Sequence, residues 1–79
     1  MIKDIIDVIK SNDAEIIIKN NIIHIINYIN IKTMSYTNIE IKVKDRIIFI
    51  KGHELIIKKL DSSELIISGN IERIEFINE

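Results

Sequence analysis

From Asn38 to Lys44 the chain alternates strictly, with Ile39, Ile41 and Val43 set between Glu40, Lys42 and Lys44. A period of two over that length predicts a strand with one wet face. Elsewhere the apolar positions come in runs. Ile47 to Ile50, then Leu55, Ile56 and Ile57, then Leu65, Ile66 and Ile67 stand side by side, so these strands offer apolar groups to both faces of a sheet. Eight segments fit this reading: "EIIIKN", "IIHIIN", "NIKTMS", "NIEIKVK", "RIIFIK", "ELIIKKL", "ELIIS" and "IERIEF". Connectors as short as "NN", "YI", "YT", "KD", "GH", "DSS" and "GN" favour hairpins, because a parallel crossover needs about a dozen residues or more. The prediction is a mainly β protein: an antiparallel meander of about seven or eight short strands, rolled or sandwich-like.

The first ten residues read differently. In "MIKDIIDVIK" the positions Ile2, Ile5, Ile6 and Ile9 follow the i, i+3, i+4, i+7 spacing of one helix stripe. Ser11, Asn12 and Asp13 interrupt it. The expected organisation is therefore a short amphipathic helix and turn over residues 1–13, packed on its own sheet, and a single β domain over residues 14–79. The two glycines, Gly52 and Gly69, each follow an apolar run where the chain must reverse or bulge. Asp61, Ser62 and Ser63 can bond their own backbone, an ordinary turn signature.

Composition narrows the function more by exclusion than by pointing. Isoleucine fills 25 of 79 positions, and β-branched side chains sit well on a pleated sheet. Eleven basic residues oppose twelve acidic ones for a net charge of −1, with no basic block to neutralise phosphates, so nucleic acid is not an expected partner. There is no cysteine, which removes disulfides and thiolate metal sites and fits a reducing compartment. No apolar run reaches the ~18 residues of a membrane span, and no secretory leader is recognisable; the chain reads as intracellular.

Catalytic chemistry finds little to stand on. His24 and His53 are the only histidines, and neither has metal-ligand or nucleophile spacing around it. His24 reads as a partly buried or edge strand residue, His53 as an exposed turn residue. "KGHE" lacks the following helix that a phosphate loop requires. No catalytic residue, cofactor or metal is expected. The apolar strands point instead to an interaction face, for which Leu55, Ile56, Ile57, Leu65 and Ile67 are the candidates; which parity of "LII" faces outward stays open. The expectation is association with a partner or with a second copy through strands between Ile47 and Ile67. The alternative is a roll that holds a small apolar ligand or lipid.

The run "IFIKGHELIIKKLDSSELIISGNIERIEF", Ile48 to Phe76, resembles the YabP/YqfC family of sporulation proteins, more closely its YqfC-like branch. That family has an apolar strand ending in a Lys-Gly or similar pair, a second apolar strand with a basic residue, an acidic turn and a final segment that matches Leu65, Ile66, Gly69, Ile71, Ile74 and Phe76, with Ile67 as an extra apolar residue. The likeness extends over roughly residues 14 to 77. Asp45 stands where the family often has glycine, and "NYIN" where a glycine is common; Asn30 and Asp45 both tolerate a left-handed backbone. The resemblance implies a non-enzymatic protein made in the mother cell of an endospore-forming bacterium. It also implies a cytoplasmic protein held at a membrane by a partner, a membrane protein of the same programme, and it carries over no functional residues.

Overall fold

The computed structural model describes residues 6–11 and 14–78. The strands are β1 (Ile6–Ser11), β2 (Ala14–Lys19), β3 (Ile22–Ile26), β4 (Asn30–Met34), β5 (Asn38–Lys42), β6 (Arg46–Leu60) and β7 (Glu64–Asn78). They form one sheet in the order β1-β2-β3-β7-β6-β5-β4, with every neighbouring pair antiparallel. Two meanders, β1–β2–β3 and β4–β5–β6–β7, thus join edge to edge where β3 meets β7.

The helix expected over Met1–Lys10 does not form over its described part. Ile6–Ser11 is a strand that pairs with β2 from Ile6↔Lys19 to Ser11↔Ala14, while residues 1–5, including Ile2 and Ile5, lie outside the described residues. The stripe misled because isoleucine and valine also suit a pleated edge, and the free side of β2 offers six residues of backbone pairing that a single helical turn cannot match.

The expected hairpins at "GH" and "GN" are not hairpins. The segments on either side run together into β6 and β7, each of 15 residues. At roughly 3.3 Å per residue such strands would span about 50 Å if straight, yet the longest dimension of the molecule is 31 Å. The β6–β7 hairpin is therefore bent, and its register shifts between Lys51 and Gly52 and between His53 and Ile56. Both glycines sit in that bend. A Cβ on Gly52 would meet the Asn70 carbonyl oxygen at 2.1 Å, and one on Gly69, which has φ of 138°, would meet the Glu54 carbonyl oxygen at 2.6 Å. They let two backbones close on each other where the sheet folds over.

The bend supplies the second layer that a single sheet lacks. In one half, β2, β3 and the start of β7 contribute Ile16, Ile23, Ile25, Leu65 and Ile67; in the other, β5, the connection after it and the start of β6 contribute Ile39, Ile41, Val43, Ile48 and Ile50. All belong to one buried cluster, with Ile31, Ile57, Ile74 and Phe76 packed at its margin. The described residues contain no helix, so each half of the sheet covers the other. The clean alternation expected from Asn38 is borne out: Ile39, Ile41 and, one residue past β5, Val43 are buried, and Glu40 and Lys42 between them are not.

Tight local chemistry closes the turns. Asn20, at φ 53°, makes the reversal between β2 and β3, and Asn27, at φ 67°, ends β3, the residue type that best tolerates such angles after glycine. Asp61 Oδ1 accepts the N–H groups of Ser63 (3.0 Å) and Glu64 (2.7 Å), and the Asp61 N–H donates to the Glu64 carbonyl (3.0 Å). Tyr28 adds a tie from the other meander by donating its hydroxyl to the Asp61 carbonyl at 2.5 Å.

Candidate interaction surface

The bend gives the two halves of β6 different neighbours. β5 pairs with β6 only as far as Lys51. Beyond it the β4–β5 loop takes over for two hydrogen bonds, from the Gly52 N–H to the Thr37 carbonyl (3.0 Å) and from the Leu55 N–H to the Tyr36 carbonyl (2.9 Å). From Ile56 to Leu60, β7 pairs on one side and no described strand pairs on the other. Successive N–H groups of a strand point to opposite sides, so the N–H of Ile57 points the same way as that of Leu55, toward the open side.

A groove of about 680 Å³ lies along this open edge. Its floor is Ile39, Leu55 and Ile57, and its walls include Met34 at the end of β4, Tyr36 from the β4–β5 loop, and Ile56 and Leu60 from β6. Among the described residues seven large apolar side chains are exposed, and these four wall residues are the majority of them. Scattered exposed apolar groups are normal on any protein; a concentration in one concavity is not. The loop that follows Met34 and carries Tyr36 is built rather than slack. Ser35 Oγ accepts the N–H groups of Asn38 (3.0 Å) and Thr37 (3.3 Å), and Asn38 Nδ2 donates to Thr37 Oγ1 (3.1 Å).

Electrostatically the groove is one-sided. Its lining carries Lys58 and Lys59 and no carboxylate. Lys59 is engaged, with Nζ 2.9 Å from Glu64 Oε1. The hydrogen bond and charge of Glu64 raise the Lys59 pKa above its ordinary value, and the same bond lowers that of Glu64. On the outer face nearby, His24 Nε2 lies 3.4 Å from Glu64 Oε1 without hydrogen-bond geometry. That face also bears Ile17, Ile26 and Ile66, with His24 set between Ile17 and Ile66 and Glu64 opposite Ile26 in the strand register.

Of the five residues expected at an interaction face, Leu55, Leu65 and Ile67 belong to the core, at 2%, 0% and 0% exposure, and Ile57 is half-buried on the groove floor. Only Ile56, at 45%, is freely presented. Register shifts flank this triplet, between His53 and Ile56 and between Ile57 and Lys59, which is why simple alternation could not assign its faces. Gly52 and Gly69, expected at turns, lie instead within β6 and β7 where the two backbones close on each other. His53, expected in a turn, is a strand residue opposite Asn70, exposed, with Nδ1 2.5 Å from Glu72 Oε2. Met34, assigned to the strand "NIKTMS", and Tyr36, assigned to the connector "YT", went unread as interaction residues; two large apolar side chains in the otherwise polar stretch "TMSYTN" are the signal that would have found them.

The described residues contain no group of three or more His, Asp or Glu able to hold a metal ion, and no helix long and apolar enough to cross a membrane. No family model matches this chain, and no curated protein or solved structure is significantly similar to it.

Proposed function

We propose that this protein is a small non-enzymatic interaction module that engages a protein partner through the groove between the β4–β5 loop and the second half of β6. The observation that carries this reading is the coincidence of four exposed apolar walls, Met34, Tyr36, Ile56 and Leu60, with an unpaired strand edge. Strand edges and apolar concavities are the two surfaces by which small β domains take up partners. The resemblance of Ile48–Phe76 to the YqfC-like sporulation proteins supplies the biological setting. In that setting the protein works in the mother-cell cytoplasm, and its partner is a membrane protein of the same programme that holds it at the membrane.

A second reading has its own support. The groove's volume lies within the roughly 300–1,000 Å³ usual for small-molecule sites, and its floor is apolar, so a small apolar ligand or lipid also fits. Native mass spectrometry of the protein, purified after co-expression with the soluble part of the proposed membrane partner, separates the two. The module reading predicts an added subunit mass; an added few hundred daltons on an otherwise lone chain would replace it with the ligand reading, and a bare monomer would defeat both.

A further inference from the structure

We infer that the partner docks as an extended strand, bearing acidic side chains among apolar ones, that adds to β6 along Ile56–Leu60. This deepens the interaction-module reading and rests on it. Three observations converge on the same five residues. No described strand pairs with this edge on the side away from β7, and just past the left-handed Glu54 the Leu55 N–H bonds outward to the Tyr36 carbonyl, so the edge already takes a backbone partner at the point where an added strand begins. The groove beside it exposes an apolar floor and walls, where alternate side chains of the incoming segment lodge while its main chain pairs with β6. The lining is cationic: Lys58 is exposed and has no ion pair among the described residues, Lys59 stands beside it, and no carboxylate lines the groove.

That charge also selects among occupants. Placing a second copy of the same edge antiparallel to the first, in the register that pairs all of Ile56–Leu60, sets Lys58 against Lys58, and like charges directly opposite destabilise a strand pair. Lysine on an open edge is a common guard against self-pairing. Lys58 therefore turns away another copy and attracts an acidic segment. An anionic amphiphile would satisfy the lysines and the apolar walls, but its headgroup offers acceptors only, whereas a polypeptide backbone supplies the alternating donors and acceptors that the outward C=O and N–H groups of a strand edge pair with.

The test uses the intact protein labelled with nitrogen-15 and two soluble probes: an eight-residue peptide alternating glutamate with valine or isoleucine, and its counterpart with lysine at every glutamate position. Amide hydrogen exchange is followed residue by residue, with dodecanoate as a third probe. The acidic peptide is expected to slow exchange at Ile57 about ten-fold or more, and the lysine peptide and dodecanoate to leave it unchanged. Lys58→Glu, an exposed substitution whose fold is checked by its amide spectrum, is expected to reverse the preference between the peptides. No protection by either peptide, equal protection by both, or protection confined to β1 or β4 would overturn the inference. If a partner bound in native mass spectra binds the Lys58→Glu protein as well as wild type, strand addition fails while the module reading stands. If the acidic peptide protects Ile57 and no partner subunit is ever found, the strand site stands and that reading falls.

Discussion

Arg46–Lys51 and Leu55–Leu60 are two halves of one strand with nearly the same apolar content, yet they do opposite work. The first half lies between β5 and β7, with Ile48 and Ile50 fully buried. The second half has β7 on one side only, and Ile56 and Leu60 are 45% and 55% exposed. Apolar content therefore does not decide whether a strand is core or surface; the number of its neighbours does. What sets that number here is the bend at Gly52 and Gly69, which carries β6 out from beside β5 after Lys51.

The contrast breaks most visibly by charging each half in turn. Ile48→Lys places an unpaired ammonium at a fully buried site and is expected to cost on the order of 4 kcal/mol or more, most of the stability of a domain worth about 0.05–0.15 kcal/mol per residue. Ile56→Lys, made on the exposed half, is expected to change stability by no more than about 0.5 kcal/mol. Urea denaturation of both variants checks this, and equal losses would mean that the halves are not different environments.

The bend itself is the next target. Gly52→Ala drives a Cβ against the Asn70 carbonyl, and Gly69→Val adds the strain of φ at 138° to a clash with the Glu54 carbonyl. Each is expected to destabilise by about 2 to 3 kcal/mol, read as a lower denaturation midpoint. An unchanged midpoint would show that the two arms do not need to approach so closely.

A smaller effect belongs to the Asp61 turn that joins the open half of β6 to β7. Asp61→Ala removes two hydrogen bonds and is expected to lower the denaturation midpoint by less than either glycine substitution does, measured in the same denaturant series. The bonds from the Ser63 and Glu64 N–H groups hold the Asp61 pKa below its ordinary value of 3.8, and Lys59 holds that of Glu64 below 4.5. Because both folded values are depressed, their contribution is fully present above those ordinary values and is lost as pH falls through the folded ones. Lys59, whose pKa is raised, contributes fully below 10.5 and loses its contribution as pH rises through the folded value. The acid limb of the stability profile should be shallower in Asp61→Ala than in wild type.

Much of this fold is legible in the sequence, for identifiable reasons. β5 alternates because one of its faces meets the core and the other does not, and "NN" and "DSS" mark real reversals because their side chains suit the backbone found there. The failures share a cause in tertiary context. Glycine in "KGH" and "SGN" looks the same whether it reverses a strand or bends it, and only the partner backbone 2.1 Å from a notional Cβ distinguishes the two. Ile6–Ser11 joins a sheet because β2 has a free edge, which no local spacing records. The groove was half visible: Ile56 was among the expected interface residues, whereas the parity of Leu55 to Ile57 depends on the flanking register shifts. The contribution of Met34 and Tyr36 depends on a loop that folds back to β6.

The central claim is that the open half of β6, and not exposed apolar surface in general, is where a partner binds. Ile77 provides the matched control, because it is 47% exposed against 45% for Ile56 but does not line the groove. Sedimentation velocity of wild type, Ile56→Lys and Ile77→Lys, each titrated with the soluble part of the membrane partner proposed above, compares the two sites directly. Ile56→Lys is expected to weaken association by about ten-fold or more, roughly 1.4 kcal/mol, with Ile77→Lys binding as wild type does. Equal weakening by both substitutions, or by neither, would contradict the claim.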